Sequence, residues 1–107
     1  MALTDFLNTL VKAPETIEFN DTMAVIDALY HFTPCAFSNG QQQNEIGQNA
    51  GSCKLFAFAK LHGLNQQQTL NCFGQYYRND VLKHPEGTDH QNIRNFIDSG
   101  WNGIHFE

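Results

Sequence analysis

The chain has little of what would direct it to nucleic acid or to a membrane. Its 107 residues contain six Lys and Arg against eleven Asp and Glu, which gives a net charge of −5. Binding to a phosphate backbone needs clustered cations, and these cations are scattered, so we expect no nucleic-acid partner. The longest apolar run, Leu55 to Ala59, is far shorter than the roughly 20 residues of a membrane-spanning helix. We therefore also expect no membrane partner.

Cysteine usage and the start of the chain indicate a compartment. The three cysteines, Cys35, Cys53 and Cys72, cannot all pair within one chain. No C-x-x-C motif is present, which excludes a zinc knuckle and a thioredoxin-type redox pair. No basic segment followed by an apolar one opens the sequence, so no Sec-type signal peptide is expected. Free thiols without such a signal predict a reducing compartment, the cytoplasm.

Hydrophobic periodicity predicts a single predominantly helical α+β domain over residues 1–107, with about five helices and a small sheet patch of two or three strands. The third helix carries apolar residues on most sides, which predicts a central, buried position. Two short strands are expected to pair with each other, and a turn at Asn39-Gly40 precedes a return strand or loop. The predicted helices cover residues 4–12, 20–32, 51–63, 65–83 and 88–99, and the two paired strands cover residues 16–19 and 103–106.

Helix-capping signals set two of these boundaries. Asn65 followed by Gln68 is similar to a capping box and predicts the start of the fourth helix. Thr88 followed by Gln91 predicts the same device at the start of the fifth. Gly74 falls inside the fourth helix, where it costs about 1 kcal/mol relative to Ala. We expect a kink or a close crossing at Gly74.

The first candidate site is the segment Gly47 to Lys54, at the predicted start of the third helix. A Walker A loop needs four residues between its glycines and a Lys directly after the second, and this segment has neither. The free N–H groups of a helix start still favour anions. The segment therefore predicts a generic binding site that uses Gly51, Ser52 and Lys54.

Cys53 allows a sharper alternative. Gln48 followed by Gly51-Ser52-Cys53 is similar to the region around the nucleophile of papain-type cysteine peptidases. A helix N-terminus lowers a thiol pKa, and an upstream Gln can stabilise an oxyanion. The simpler interpretation is that Ser52 caps the helix and Cys53 is a small buried residue. A thiol hydrolase would also need a nearby histidine, for which the candidates are His31, His62 and His90.

Two further groups of residues are candidates for binding. Glu86, Asp89 and His90 belong to one polar loop, but no metal-ligand spacing is present, so we predict no metal and no cofactor. Tyr76 and Arg78 close an apolar helix and have the composition of an interaction hot spot. One of the two adjacent tyrosines belongs to the core stripe, so its neighbour must face elsewhere.

Four long blocks of the sequence, taken in order, resemble the HopJ family of small bacterial proteins labelled as type III secretion effectors. The blocks are residues 20–34, 47–64, 71–88 and 84–107. The resemblance implies a bacterial protein made in the cytoplasm and secreted into a host through a type III system. It implies no reaction, so we expect an effector that binds an unidentified protein partner or small ligand. The alternatives are a cytosolic housekeeping binding module and a thiol hydrolase that uses Cys53.

Overall fold

The computed structural model describes all 107 residues and has six helices packed against a small antiparallel sheet. The predicted class, predominantly helical α+β, is confirmed. Short 3₁₀ turns flank the helices at Pro14–Thr16 and Gly100–Gly103. None of the helices is both long enough and apolar enough to span a membrane. The elements are α1 (Leu3–Lys12), α2 (Phe19–Leu29), β1 (Phe37–Asn39), β2 (Gln42–Asn44), α3 (Ala50–Leu61), α4 (Gln66–Asn71), a π-helical segment (Tyr76–Val81), α5 (Gln91–Ser99) and β3 (Ile104–Phe106).

Helix α3 lies at the centre of the core, as its all-round apolar pattern predicts. Phe56 on this helix has no exposed surface. Complete burial of such a side chain stabilises the fold by about 1.5–3 kcal/mol. Its ring contacts four other aromatic rings from four different parts of the chain, which are Phe37, Phe73, Phe96 and Trp101.

The sheet has the strand order β2-β1-β3. Gly40, with φ of 60°, makes the predicted turn between β1 and β2. Strand β3 forms where it is predicted, but it pairs with β1, Phe106 opposite Phe37. The predicted strand at residues 16–19 is wrong. Asp21 Oδ2 accepts a hydrogen bond of 3.0 Å from the Glu18 N–H, and α2 starts at Phe19. The short alternating pattern therefore belongs to the start of a helix and not to a strand.

The predicted fourth helix is two elements instead of one. Asn65 and Gln68 form the capping box that starts α4, as predicted. The helix ends at Asn71, because Gly74 adopts φ of 61° and packs against the backbone of α2. The chain resumes as the π-helical segment, where Gln75 Oε1 accepts a hydrogen bond of 2.9 Å from the Phe19 N–H. This break turns the segment toward α5.

Helix α5 begins at Gln91, so the capping box predicted for Thr88 and Gln91 is wrong. Its N-cap is His90, with φ of 50° and ψ of 48°. Arg94 explains the late start, because its guanidinium donates to the Asp89 carbonyl at 2.6 Å and to the His84 carbonyl at 2.8 Å. Those bonds hold the loop against the side of the helix instead of letting it continue the helix.

Candidate functional site

A cleft of about 350 Å³ opens where the starts of α3 and α5 face the π-helical segment. Four residues that the sequence marks as binding candidates line it, namely Gly51, Ser52, Tyr76 and His90. They come from three separate segments of the chain, which the fold brings together. The other lining residues are Phe19, Phe73 and Ile93 on the apolar side, and Gln42, Asn49, Gln91 and Asn92 on the polar side.

Both helices at the cleft begin in the same unusual way. Their N-caps, Asn49 and His90, have φ of 52° and 50° and are the only non-glycine residues with positive φ in the chain. Neither makes a side-chain cap hydrogen bond. The N–H groups of the following residues, Gly51 and Ser52 in α3 and Gln91 in α5, have no partner within the protein. The cleft therefore offers uncommitted backbone donors from two helices.

His90 is held in place by an aromatic ring and two carboxylates. Its imidazole stacks on Tyr76, with centroids 5.0 Å apart and planes inclined by 22°. Its Nε2 lies 2.9 Å from Asp80 Oδ2 and 3.9 Å from Asp89 Oδ2. The Arg94 hydrogen bond lowers the pKa of Asp89 from its ordinary value. Asp80 is absent from the sequence-based candidates, because its approach to His90 depends on the break at Gly74.

A network of asparagines, of which Asn39, Asn44 and Asn92 are buried and Asn49 is exposed, supports the cleft from below. Asn44 Oδ1 accepts from Asn49 Nδ2 at 2.7 Å and from Asn92 Nδ2 at 3.2 Å. Asn39 Nδ2 donates to the Asn92 carbonyl at 2.7 Å. One amide oxygen on β2 thus joins the starts of α3 and α5. This network is not predictable from the spacing of residues in the sequence, and its only signal there is the number of Asn residues in the polar segments.

Cys53 lies outside the cleft and lacks the properties of a nucleophile. It is buried, and burial raises its pKa to about 11. Its hydrogen-bonding neighbour is Cys35, with the two Sγ atoms 3.7 Å apart, and no histidine forms a hydrogen bond with it. The expected lowering of the pKa by the helix start is therefore wrong, because desolvation dominates. These are the features of a structural thiol.

The remaining candidate residues lie outside the cleft, and two of them form contacts with other parts of the protein. Lys54 forms an ion pair with Asp27, with Nζ and Oδ1 2.6 Å apart. Arg78 donates to the Ile17 carbonyl at 2.6 Å and braces the π-helical segment against the start of α2. Glu86 is exposed and lies in a separate shallow depression with His84, Asp80 and Asp89. Tyr77, as expected of one of the two tyrosines, is buried in the core.

The fold defines a small α+β domain with a cleft between the starts of two of its helices. A family model described as HopJ type III effector protein matches residues 3–107. The chain therefore belongs to the HopJ family. It is similar to a solved crystal structure described as the unknown function protein VPA0580, with 58% identity and a TM-score of 0.98. That match covers 100% of this chain and 89% of the other. No curated protein matches the chain.

Proposed function

We propose that this HopJ family protein acts by binding a small ligand in the cleft, without a reaction of its own. The observation that supports the proposal is the convergence of Gly51, Ser52, Tyr76 and His90 on one concave surface. Concave sites that combine apolar walls with a few placed polar groups are typical of small-molecule sites. The state of Cys53 argues for binding over thiol catalysis, since its pKa of about 11 leaves the thiol protonated at neutral pH.

The lining indicates the chemistry of the ligand. Phe19, Phe73 and Tyr76 offer an aromatic surface on one side. The uncommitted N–H groups of Ser52 and Gln91 offer donors on the other. No Lys or Arg lines the cleft. A ligand with a planar apolar part and hydrogen-bond acceptors, such as an aromatic carboxylate or amide, would match both the aromatic side and the donor side of the cleft.

The test is a titration of the ¹⁵N-labelled protein with a set of small aromatic carboxylates, amides and amines, followed by NMR. We expect saturable shifts of the Gly51, Ser52 and Gln91 amide resonances for the compounds with acceptors, and weaker shifts for the amines. Ser52→Trp, which fills the cleft, is expected to abolish them. Lys60→Trp, at the exposed far end of the same helix, is the matched control and should retain them. Shifts that survive Ser52→Trp, or none with any compound, would refute the proposal.

We infer that the protein is delivered through a type III system, as the family description indicates. Helix α1 is packed on the core through Phe6 and Leu10, which are 0% and 2% exposed. A chain that passes through a narrow secretion channel has to release this helix first. The test is a reporter fused to residues 1–25 and to the full chain, expressed in a bacterium with and without a working type III apparatus. Export that requires the apparatus supports delivery, whereas retention of both fusions supports the housekeeping alternative.

A further inference from the structure

Beside the cleft, the structure gathers one imidazole and two carboxylates on the surface. We propose that Asp80, Asp89 and His90 form a binding site for a divalent first-row transition metal ion. The proposal does not depend on the proposed function of the cleft, because only His90 belongs to both. Asp89 and His90 are binding candidates in the sequence, but no metal-ligand spacing indicates Asp80, which lies ten positions before His90 on a different element.

The distances between the donor atoms suit one shared ion. His90 Nε2 is 2.9 Å from Asp80 Oδ2 and 3.9 Å from Asp89 Oδ2. All three donor atoms lie within 4.8 Å of one another. Metal–ligand bonds of about 2.0–2.2 Å put adjacent donors roughly 3.0–3.5 Å apart. Small side-chain rotations would therefore bring all three to bonding distance.

The surrounding residues already hold the donors in orientation. Stacking on Tyr76 fixes the plane of the His90 ring, with Nε2 directed at Asp80. Arg94 binds Asp89 through Oδ1 at 2.6 Å, which leaves Oδ2 on the side of His90. Partners of this kind, which orient metal ligands from outside, strongly influence metal affinity.

The donor set indicates the class of metal. Magnesium and calcium prefer ligand sets made of oxygen alone. An imidazole with carboxylates suits zinc, manganese, iron, cobalt or nickel. The Asp80 and Asp89 side chains are 45% and 61% exposed, so an ion can reach them from solvent. Their two negative charges are offset locally by Arg94 alone, so a divalent cation would meet a net negative site.

The experiment combines calorimetry with ZnCl₂ and NMR of the ¹⁵N-labelled protein with MnCl₂. The variants are Asp80→Asn and His90→Asn, the latter chosen because Asn tolerates the left-handed backbone of His90. The control His105→Asn removes an exposed histidine on β3. A second control, Cys35→Ser, removes a thiol that could bind zinc in place of the proposed site.

We expect one zinc ion per chain, with affinity lowered about tenfold or more by either site variant and unchanged in both controls. Substoichiometric Mn²⁺ should broaden the amide resonances of Asp80, Asp89 and His90 first. Absence of zinc binding would mean that His90 and Asp80 form only a hydrogen bond with each other, which would overturn the proposal. Zinc binding that is lost in Cys35→Ser and kept in His90→Asn would overturn it as well.

Discussion

At the scale of single residues, the cysteines show how strongly burial controls the pKa of a thiol. Burial raises the pKa of Cys53 to about 11 and that of Cys72 to about 12. A thiol in an unfolded chain titrates near pH 8.5. The position of Cys53 close to a helix start suggested an activated nucleophile. Its exclusion from water has a larger effect on its pKa than the helix start has. Cys35, which is half-buried, is the thiol that solvent can reach.

Alkaline pH should therefore destabilise the protein through Cys72. Below about pH 8.5 the thiol is protonated in both states, so it adds no pH dependence. Above that pH the unfolded chain loses the proton while the folded protein keeps it, so stability falls until the pH approaches 12. We expect the free energy of unfolding in urea to fall by about 1 kcal/mol or more between pH 8 and about pH 10.5.

The control for this prediction is Cys72→Ala. The substitution lowers stability at every pH, because it removes buried volume. The free energy of unfolding of the variant should nevertheless fall less between pH 8 and about pH 10.5 than that of the wild type, because the variant has no thiol to titrate at this position. Equal pH dependence in the two proteins would show that Cys72 does not carry the effect.

At the scale of elements, Gly74 controls how the π-helical segment approaches the cleft. Its φ of 61° requires a left-handed conformation, and an added Cβ would lie 2.5 Å from the Phe19 nitrogen. Gly74→Ala therefore combines backbone strain of about 1 kcal/mol with a clash against rigid backbone. We expect a loss of about 2–4 kcal/mol in the free energy of unfolding, measured with urea.

Gly63 offers a matched comparison for that prediction. It has a φ of 65°, and an added Cβ would meet nothing within 4 Å. Gly63→Ala should therefore cost the backbone strain alone, about 1 kcal/mol. The difference between the two variants measures the contact with α2. If both variants lose the same stability, the close approach of Gly74 to Phe19 does not contribute to the cost of the Gly74 substitution.

The elements also show what the sequence could and could not predict. Local signals, such as the Asn65 capping box and the apolar pattern of α3, gave correct positions, because their physical cause lies within a few residues. The same kind of signal failed at Thr88, where Arg94 holds the preceding loop from one turn into the helix. The pairing of β3 with β1 and the approach of Asp80 to His90 depend on distant segments. Periodicity carries no information about such contacts.

At the scale of the whole molecule, the cleft depends on one buried side chain. Asn44 is 2% exposed, and its Oδ1 accepts from Asn49 at the start of α3 and from Asn92 at the start of α5. The hairpin β1–β2 thereby links the starts of the two helices through a single side chain. We infer that the shape of the cleft and the stability of the fold are coupled through this residue.

Asn44→Ala should separate that role from a general weakening of the hairpin. Removal of the amide leaves the Asn49 and Asn92 side chains without their acceptor, which should cost about 2–4 kcal/mol in urea unfolding. Amide hydrogen exchange should also speed up at Cys53 and Ile93, whose N–H groups donate to the Asn49 and His90 carbonyls, because both helix starts lose a restraint. Gln43→Ala, at the exposed neighbouring position on β2, should change stability by less than about 0.5 kcal/mol and leave exchange unaltered. If Asn44→Ala lowers stability without faster exchange at the two helix starts, Asn44 supports the hairpin and does not hold the cleft.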